Sequence, residues 1–294
     1  MNVGIAGTGR MGAAIATRLL GQGHAVSVWN RTPAKTAPLV AAGAKAAESP
    51  AALASASEAI ITILTDAAAI DAAYTGPAGL LAGDVKGKLF IEMSTVRPET
   101  AQALAEKVRA KGAAIVECPV GGTTGPARDG KLFGFAGATD ADFARAKPLL
   151  EQMCRRIEHV GPVGAGASMK LAINLPLLVY WQALGEALSL ARPLGLEPAR
   201  IMDILADTSG APNMLKNRAA SIATQLAGGD VPPTVEIDVM RKDLRTMIEE
   251  SRALGVALPV TARALECFDR ASRDGLGAAD CTKMPAYWVE RGGR

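Results

Sequence analysis

The chain has 294 residues, 49% hydrophobic and 21% charged, and a net charge of +3. That composition belongs to a globular protein with a sizeable core, of two ordinary domains or one large one, and its interspersed charges leave no extended basic face for nucleic acid. Four cysteines without a Cys-x-x-Cys pair, and two histidines without ligand spacing to them, point away from a disulfide framework and a metal site and towards a reduced, cytoplasmic protein.

The amino terminus runs directly into the strand pattern "NVGIA", without the pattern of a signal peptide. Short apolar runs then alternate with alanine-rich helical ones up to about residue 160: "MGAAIATRLL", "AVSVW", a helix ending near Gly43, "AIITIL", "KLFIEM", "PETAQALAEKVRAKG", "AAIVE", "LFGFAG" and a helix from Asp140 to Met153. Strand, helix, strand at this spacing predicts right-handed crossovers and a parallel, doubly wound sheet covered on both faces. Beyond "GPVGAGASMK" the strand patterns stop, and Pro193, Gly195, Gly210, Gly228 and Pro232-Pro233 punctuate helices.

The expected architecture is therefore α/β: a Rossmann-type domain over 1–162, a long helix over 163–192 and an all-α domain over 193–294, with a ligand cleft between the two domains. Within the long helix, about Ala165 to Ala191 with Pro176 inside it, the apolar stretch "LAINLPLLVYW" is shorter than the roughly 20 residues a bilayer demands. It is read as a buried helix, and no membrane partner is expected.

Gly7, Gly9 and Gly12 in "GTGRMG" follow the first strand and open the first helix, as a dinucleotide loop requires. Gly7 permits the tight turn, Gly9 the approach of a pyrophosphate and Gly12 close helix–strand packing; Arg10 and Met11 belong to the same loop. The second strand ends at Asn30, Arg31 and Thr32, where an NAD-preferring protein usually carries an acid. Arg31 offers charge-assisted hydrogen bonds to a 2′-phosphate and Thr32 a hydroxyl, so NADP(H) is expected ahead of NAD(H).

Four ordered stretches, "GIAGTGRMG", "ECPVGGTTGPARDGKL", "GAGASMKLAIN" and "MRKDL", span nearly the whole chain, which resembles the β-hydroxyacid dehydrogenase family. That family includes 3-hydroxyisobutyrate dehydrogenases, tartronate semialdehyde reductases and glyoxylate/succinic semialdehyde reductases. The resemblance implies that Lys170, in the Gly-x-Gly-x-x-x-Lys pattern, is the catalytic lysine acting as general acid and base, with Asn174 one helical turn later on the same face. It places Lys242 near the nicotinamide and the substrate, followed by Asp243. It also puts Leu64, Thr65, Ser94 and Thr95 beside the dinucleotide, although Ser94 or Thr95 would equally serve as a helix cap before Pro98.

The family string Pro-Val-Ser-Gly-Gly is altered here: Pro119 and Val120 precede Gly121, Gly122 and Thr123. One hydroxyl is missing, leaving the Gly121 and Gly122 amides and Thr123 to bind the substrate anion, with Lys242. The expected function is NADP-dependent interconversion of a small β-hydroxy acid and its semialdehyde or keto form, and the family resemblance also implies a homodimer or homotetramer through the helical half. Two alternatives stand beside it: an imine reductase on the same scaffold, whose members generally replace the lysine, and a non-catalytic NADP(H)-binding module.

Overall fold

In the computed structural model, which describes residues 1–291, the chain divides into a first unit, Met1–Ala172, and a second that begins at Ile173. Among the described residues the sheet of the first unit has nine strands: β1 (Asn2–Ala6), β2 (Ala25–Trp29), β3 (Lys45–Ala46), β4 (Ala59–Thr62), β5 (Leu89–Glu92), β6 (Ala114–Glu117), β7 (Val120–Gly121), β8 (Leu132–Gly137) and β9 (Cys154–Gly161). Their order is β3-β2-β1-β4-β5-β6-β8-β7, with β9 paired to β8. From β3 across to β6 every pairing is parallel; Ile5 sits opposite Val28 and Ile61, and Ile91 opposite Ile61 and Val116. The strand order reverses at β1, the switch point outside which α/β proteins place ligands.

Helices α1 (Arg10–Gly21), α2 (Ala37–Ala41), α3 (Pro50–Ser55), α4 (Ala67–Thr75), α5 (Pro98–Ala110), α6 (Thr124–Arg128) and α7 (Asp140–Leu150) connect these strands. Consecutive strand residues point to opposite faces, and here both neighbours are buried. Ile60, Phe90 and Ile115 join one core with Tyr74 and Leu104, while Ile61, Ile91 and Val116 join another with Ile15 and Leu19. A sheet buried on both sides explains the continuous apolar runs of its central strands.

The far side of the sheet departs from the all-parallel expectation. β8 runs antiparallel to both β6 and β7. The connection from β7 to β8 holds only the five-residue α6, too short for a parallel crossover of a dozen or more residues, so the chain turns back. β9, parallel to β8, follows α7.

Helix α8 (Ala165–Ala191) is continuous over 27 residues with Pro176 inside it. The second unit contains most of it, together with α9 (Pro198–Ala206), α10 (Asn213–Leu226), α11 (Ile237–Ala253), α12 (Pro259–Ala271) and α13 (Lys283–Arg291). On α11 the buried residues Ile237, Met240, Leu244, Met247 and Ser251 recur every three or four positions, one face of a helix. Gly185 of α8 lies so close to α13 that a Cβ there would stand 2.8 Å from Trp288 Cβ.

The expectation of a buried helix over "LAINLPLLVYW" is corrected to burial of one face. Leu171, Asn174, Leu178, Trp181, Leu184 and Leu188 are buried, whereas Ile173, Pro176, Ala183 and Leu190 are exposed. Pro176 thus falls on the outward side. By length and composition alone the segment Ala165–Leu194 would also suffice to cross a membrane, as the core helix of a soluble protein often would.

Candidate active site

β1, β2, β4, β5 and β6 run parallel, so the residues that follow them gather on one edge of the sheet. Gly7, directly after β1, has φ +98°, and a Cβ there would lie 2.3 Å from the Ile63 carbonyl oxygen. At Gly12 a Cβ would stand 1.9 Å from the Gly7 carbonyl oxygen, so helix and loop touch at this point. A Cβ at Gly9 meets nothing within 4 Å, and Gly9 heads α1 without a side-chain cap or an acid in the first turn. Open space before an uncapped helix start suits a pyrophosphate, which would take those N–H groups and the positive end of the helix dipole.

Asn30 fastens this loop to the end of β2. Its Oδ1 accepts from the Thr8 amide at 3.1 Å, and its Nδ2 donates to the Thr32 carbonyl at 3.0 Å. Arg31 and Thr32 are exposed beside it. Both polar atoms of the Asn30 side chain are thus engaged by the backbone, whereas Arg31 and Thr32 are the exposed side chains here.

The loops after β4 and β5 are tied by a buried carboxylate. Ser94 Oγ accepts from the Leu64 amide at 2.8 Å, the Ser94 amide donates to Glu92 Oε1 at 2.7 Å, and Thr62 Oγ1 donates to Glu92 Oε2. Tyr74 adds its hydroxyl to Thr62 at 2.8 Å. Burial raises the Glu92 carboxyl above its ordinary value, against the lowering effect of these hydrogen bonds. The cap reading of Ser94 and Thr95 is corrected: the residue before α5 is Arg97, without a side-chain cap, and Ser94 instead fixes the position of Leu64. Thr65 is exposed, and Thr95 half-buried.

One strand further, Glu117 pairs in register with Glu92. Its Oε1 accepts three amides from the start of α8: Gly164 at 2.7 Å, Gly166 at 2.7 Å and Ala167 at 3.2 Å. Burial pushes this carboxyl up to about 7; the three amides oppose the shift and the neighbouring Glu92 adds to it.

In the altered loop the two glycines differ. Gly122 has φ +123°, and a Cβ there would lie 2.8 Å from Leu132 Cδ2, so only glycine fits. A Cβ at Gly121 would rest 3.7 Å from Phe135, an ordinary contact. Thr123, half-buried, precedes α6 without capping it.

Lys170, half-buried, and Asn174, buried, are four residues apart on α8 and share a face. Asn174 Nδ2 donates to Asp243 Oδ2 at 3.2 Å, and Lys242 Nζ lies 2.5 Å from Asp243 Oδ1 as an ion pair. The second unit thus joins Asn174 to Lys242 through Asp243, a carboxylate with no expected role. Glu92 and Glu117 were equally unforeseen. Their one signal was an acid closing an otherwise apolar strand, in "LFIE" and "AIVE".

Two family profiles match the chain: the NAD binding domain of 6-phosphogluconate dehydrogenase over residues 2–161, and the NAD-binding domain of NADP-dependent 3-hydroxyisobutyrate dehydrogenase over residues 164–288. Glyoxylate/succinic semialdehyde reductase 1 of Arabidopsis thaliana is 36% identical over 281 residues, covering 95% of this chain and 96% of that protein. The crystal structure of 3-hydroxyisobutyrate dehydrogenase from Salmonella typhimurium superposes with a TM-score of 0.87 at 27% identity, covering 98% of this chain and 99% of the other. Psf3 in complex with NADP+ and 2-OPP gives 0.86 at 27% identity, over 97% and 99%. A reductive aminase from Aspergillus terreus in complex with NADPH and ethyl levulinate is more distant in shape, with a TM-score of 0.66 at 26% identity over 98% and 99%.

Proposed function

Because this chain belongs to the β-hydroxyacid dehydrogenase family and binds NAD(P)(H), we propose that it interconverts a short β-hydroxy acid and its semialdehyde or keto form, with NADP(H) preferred. The dinucleotide supplies or receives the hydride; the chain's own residues supply the rest. In reduction the Lys170 ammonium gives a proton to the substrate oxygen, and in oxidation its amine takes one away. Asn174, held by Asp243, keeps a fixed polar group one turn from Lys170. The Gly121 and Gly122 amides and the Thr123 hydroxyl take the substrate anion. Arg31 and Thr32 take the 2′-phosphate, favoured by their exposure and by the absence of an acid at the end of β2.

The observation that carries this reading is the Lys170–Asn174 pair on α8, with Asn174 anchored to Asp243 on α11. The outward apolar residues of α8, Ile173 and Leu190 among them, favour assembly as a homodimer or homotetramer through the helical unit. We place the protein in the cytoplasm, whose reducing conditions suit its four buried free thiols, with neither nucleic acid nor membrane as partner. An NADPH-oxidation panel of short semialdehydes, glyoxylate and cyclic imines tests the reaction class. Turnover with acidic aldehydes or keto acids is expected; turnover confined to imines would replace the reading with imine reduction.

A further inference from the structure

Helix α8 has no acid in its own first turn, although a 27-residue helix ending in bare N–H groups favours a negative charge there. The charge comes from another element. Glu117, 2% exposed at the end of β6, gathers the Gly164, Gly166 and Ala167 amides onto one carboxylate oxygen. Lys170 follows Ala167 by three residues, so the turn that Glu117 grips is the turn before the lysine.

The surroundings are cut to admit this carboxylate. A Cβ at Gly137 of β8 would lie 2.4 Å from Glu117 Oε1, and a Cβ at Gly166 would lie 2.3 Å from the Phe135 carbonyl oxygen and 3.1 Å from Glu117 Oε1. Gly164 has φ +102°. Gly166 in "GAGASMK" is thus explained by the carboxylate and strand it packs against, and Gly164 by its positive φ and by Gln102 of α5, whose Nε2 would lie 2.6 Å from a Cβ, independently of any ligand.

We propose that Glu117 is a positioning residue for Lys170: through three main-chain N–H groups its carboxylate fixes the first turn of α8 and hence the place from which the lysine side chain departs. The proposal rests on the reading of Lys170 as proton donor and acceptor. Deprotonation of Glu117 converts neutral hydrogen bonds into charge-assisted ones, so the grip tightens as pH rises through about 7.

Few other charges face this group. Glu92 on β5 is its register partner, and Cys118 follows it on the chain. β8 carries no titratable residue, and on α8 the first is Lys170. On α7, Asp140 and Asp142 pair with His159 and Arg109; on α5, Glu99 pairs with Arg97 and Glu106 is exposed.

The test combines main-chain amide shifts with a pH profile. In the wild-type protein the ¹⁵N resonances of Gly164, Gly166 and Ala167 should titrate together near pH 7, and in Glu117→Gln they should stay flat. The same substitution should lower kcat about 10-fold at pH 8, leave KM for NADPH within about 2-fold and remove the inflection near pH 7. Glu117→Asp, which retains the charge, should restore part of that inflection. Wild-type amides that do not titrate, or an unchanged kcat profile in Glu117→Gln, would overturn the proposal. Loss of turnover in Lys170→Ala at every pH, beside an unaffected Glu117→Gln, removes only the positioning role; wild-type turnover in Lys170→Ala removes both.

Discussion

Two glycine loops serve the first unit, and they tolerate change very differently. In "GTGRMG" both Gly7 and Gly12 are required by backbone that would collide with any Cβ, while Gly9 leaves open space. In "PVGGTT" only Gly122 is required; Gly121 has ordinary room for a side chain. Gly7 and Gly12 of the first loop are fixed by the loop's own packing, and so are readable in the sequence. The second has an adjustable position, where the chain departs from its family without strain.

Substitutions should widen or close that contrast. The largest effect is expected for Gly12→Ala, whose methyl would meet the Gly7 carbonyl: NADPH binding measured by fluorescence titration should weaken by about 100-fold or the protein should lose about 3 kcal/mol of stability. Next comes Arg31→Asp, which, on the proposed reading of Arg31 as the 2′-phosphate partner, would remove charge-assisted bonds worth about 1.5–3 kcal/mol and add repulsion. The ratio of kcat/KM for NADPH over NADH should fall by about 10- to 100-fold; an unchanged ratio would mean that the 2′-phosphate is read elsewhere. Smallest is Gly121→Ser. Its Tm should stay within about 2 °C of the wild type, since a Cβ there makes only ordinary contacts with Phe135 and Phe133, while relative kcat/KM across hydroxy acids shifts several-fold. A large fall in Tm would erase the distinction between the loops.

The same difference explains what could be read in the sequence. Strands β1, β4, β5 and β6 are buried on both faces and announced themselves as apolar runs, and the glycine loop stood where a strand meets a helix. β9, "CRRIEHVG", did not: it pairs only with β8, is half exposed, and its Arg156 lies over Phe133 at 4.9 Å instead of entering a core. The reversed direction of β8 was hidden because direction depends on connection length and not on strand pattern. One-sided burial of α8 was hidden because its exposed face is also apolar. In the candidate site, Lys170, Asn174 and Lys242 were legible only through the family motifs, whereas Asp243, Glu92 and Glu117 each take at least one partner distant in sequence: Asn174, Thr62 and Gly166. Glu117 reaches Gly166 across 49 positions, a link that no local spacing encodes.

Lys170 is the group proposed to move the proton. Single-turnover hydride transfer in Lys170→Ala, measured beside the dissociation constant for NADPH, tests it most directly. A fall of about 100-fold or more in the transfer rate, with NADPH affinity within about 2-fold of the wild type, is the expected result. Transfer at the wild-type rate would contradict it and leave the proton to another group.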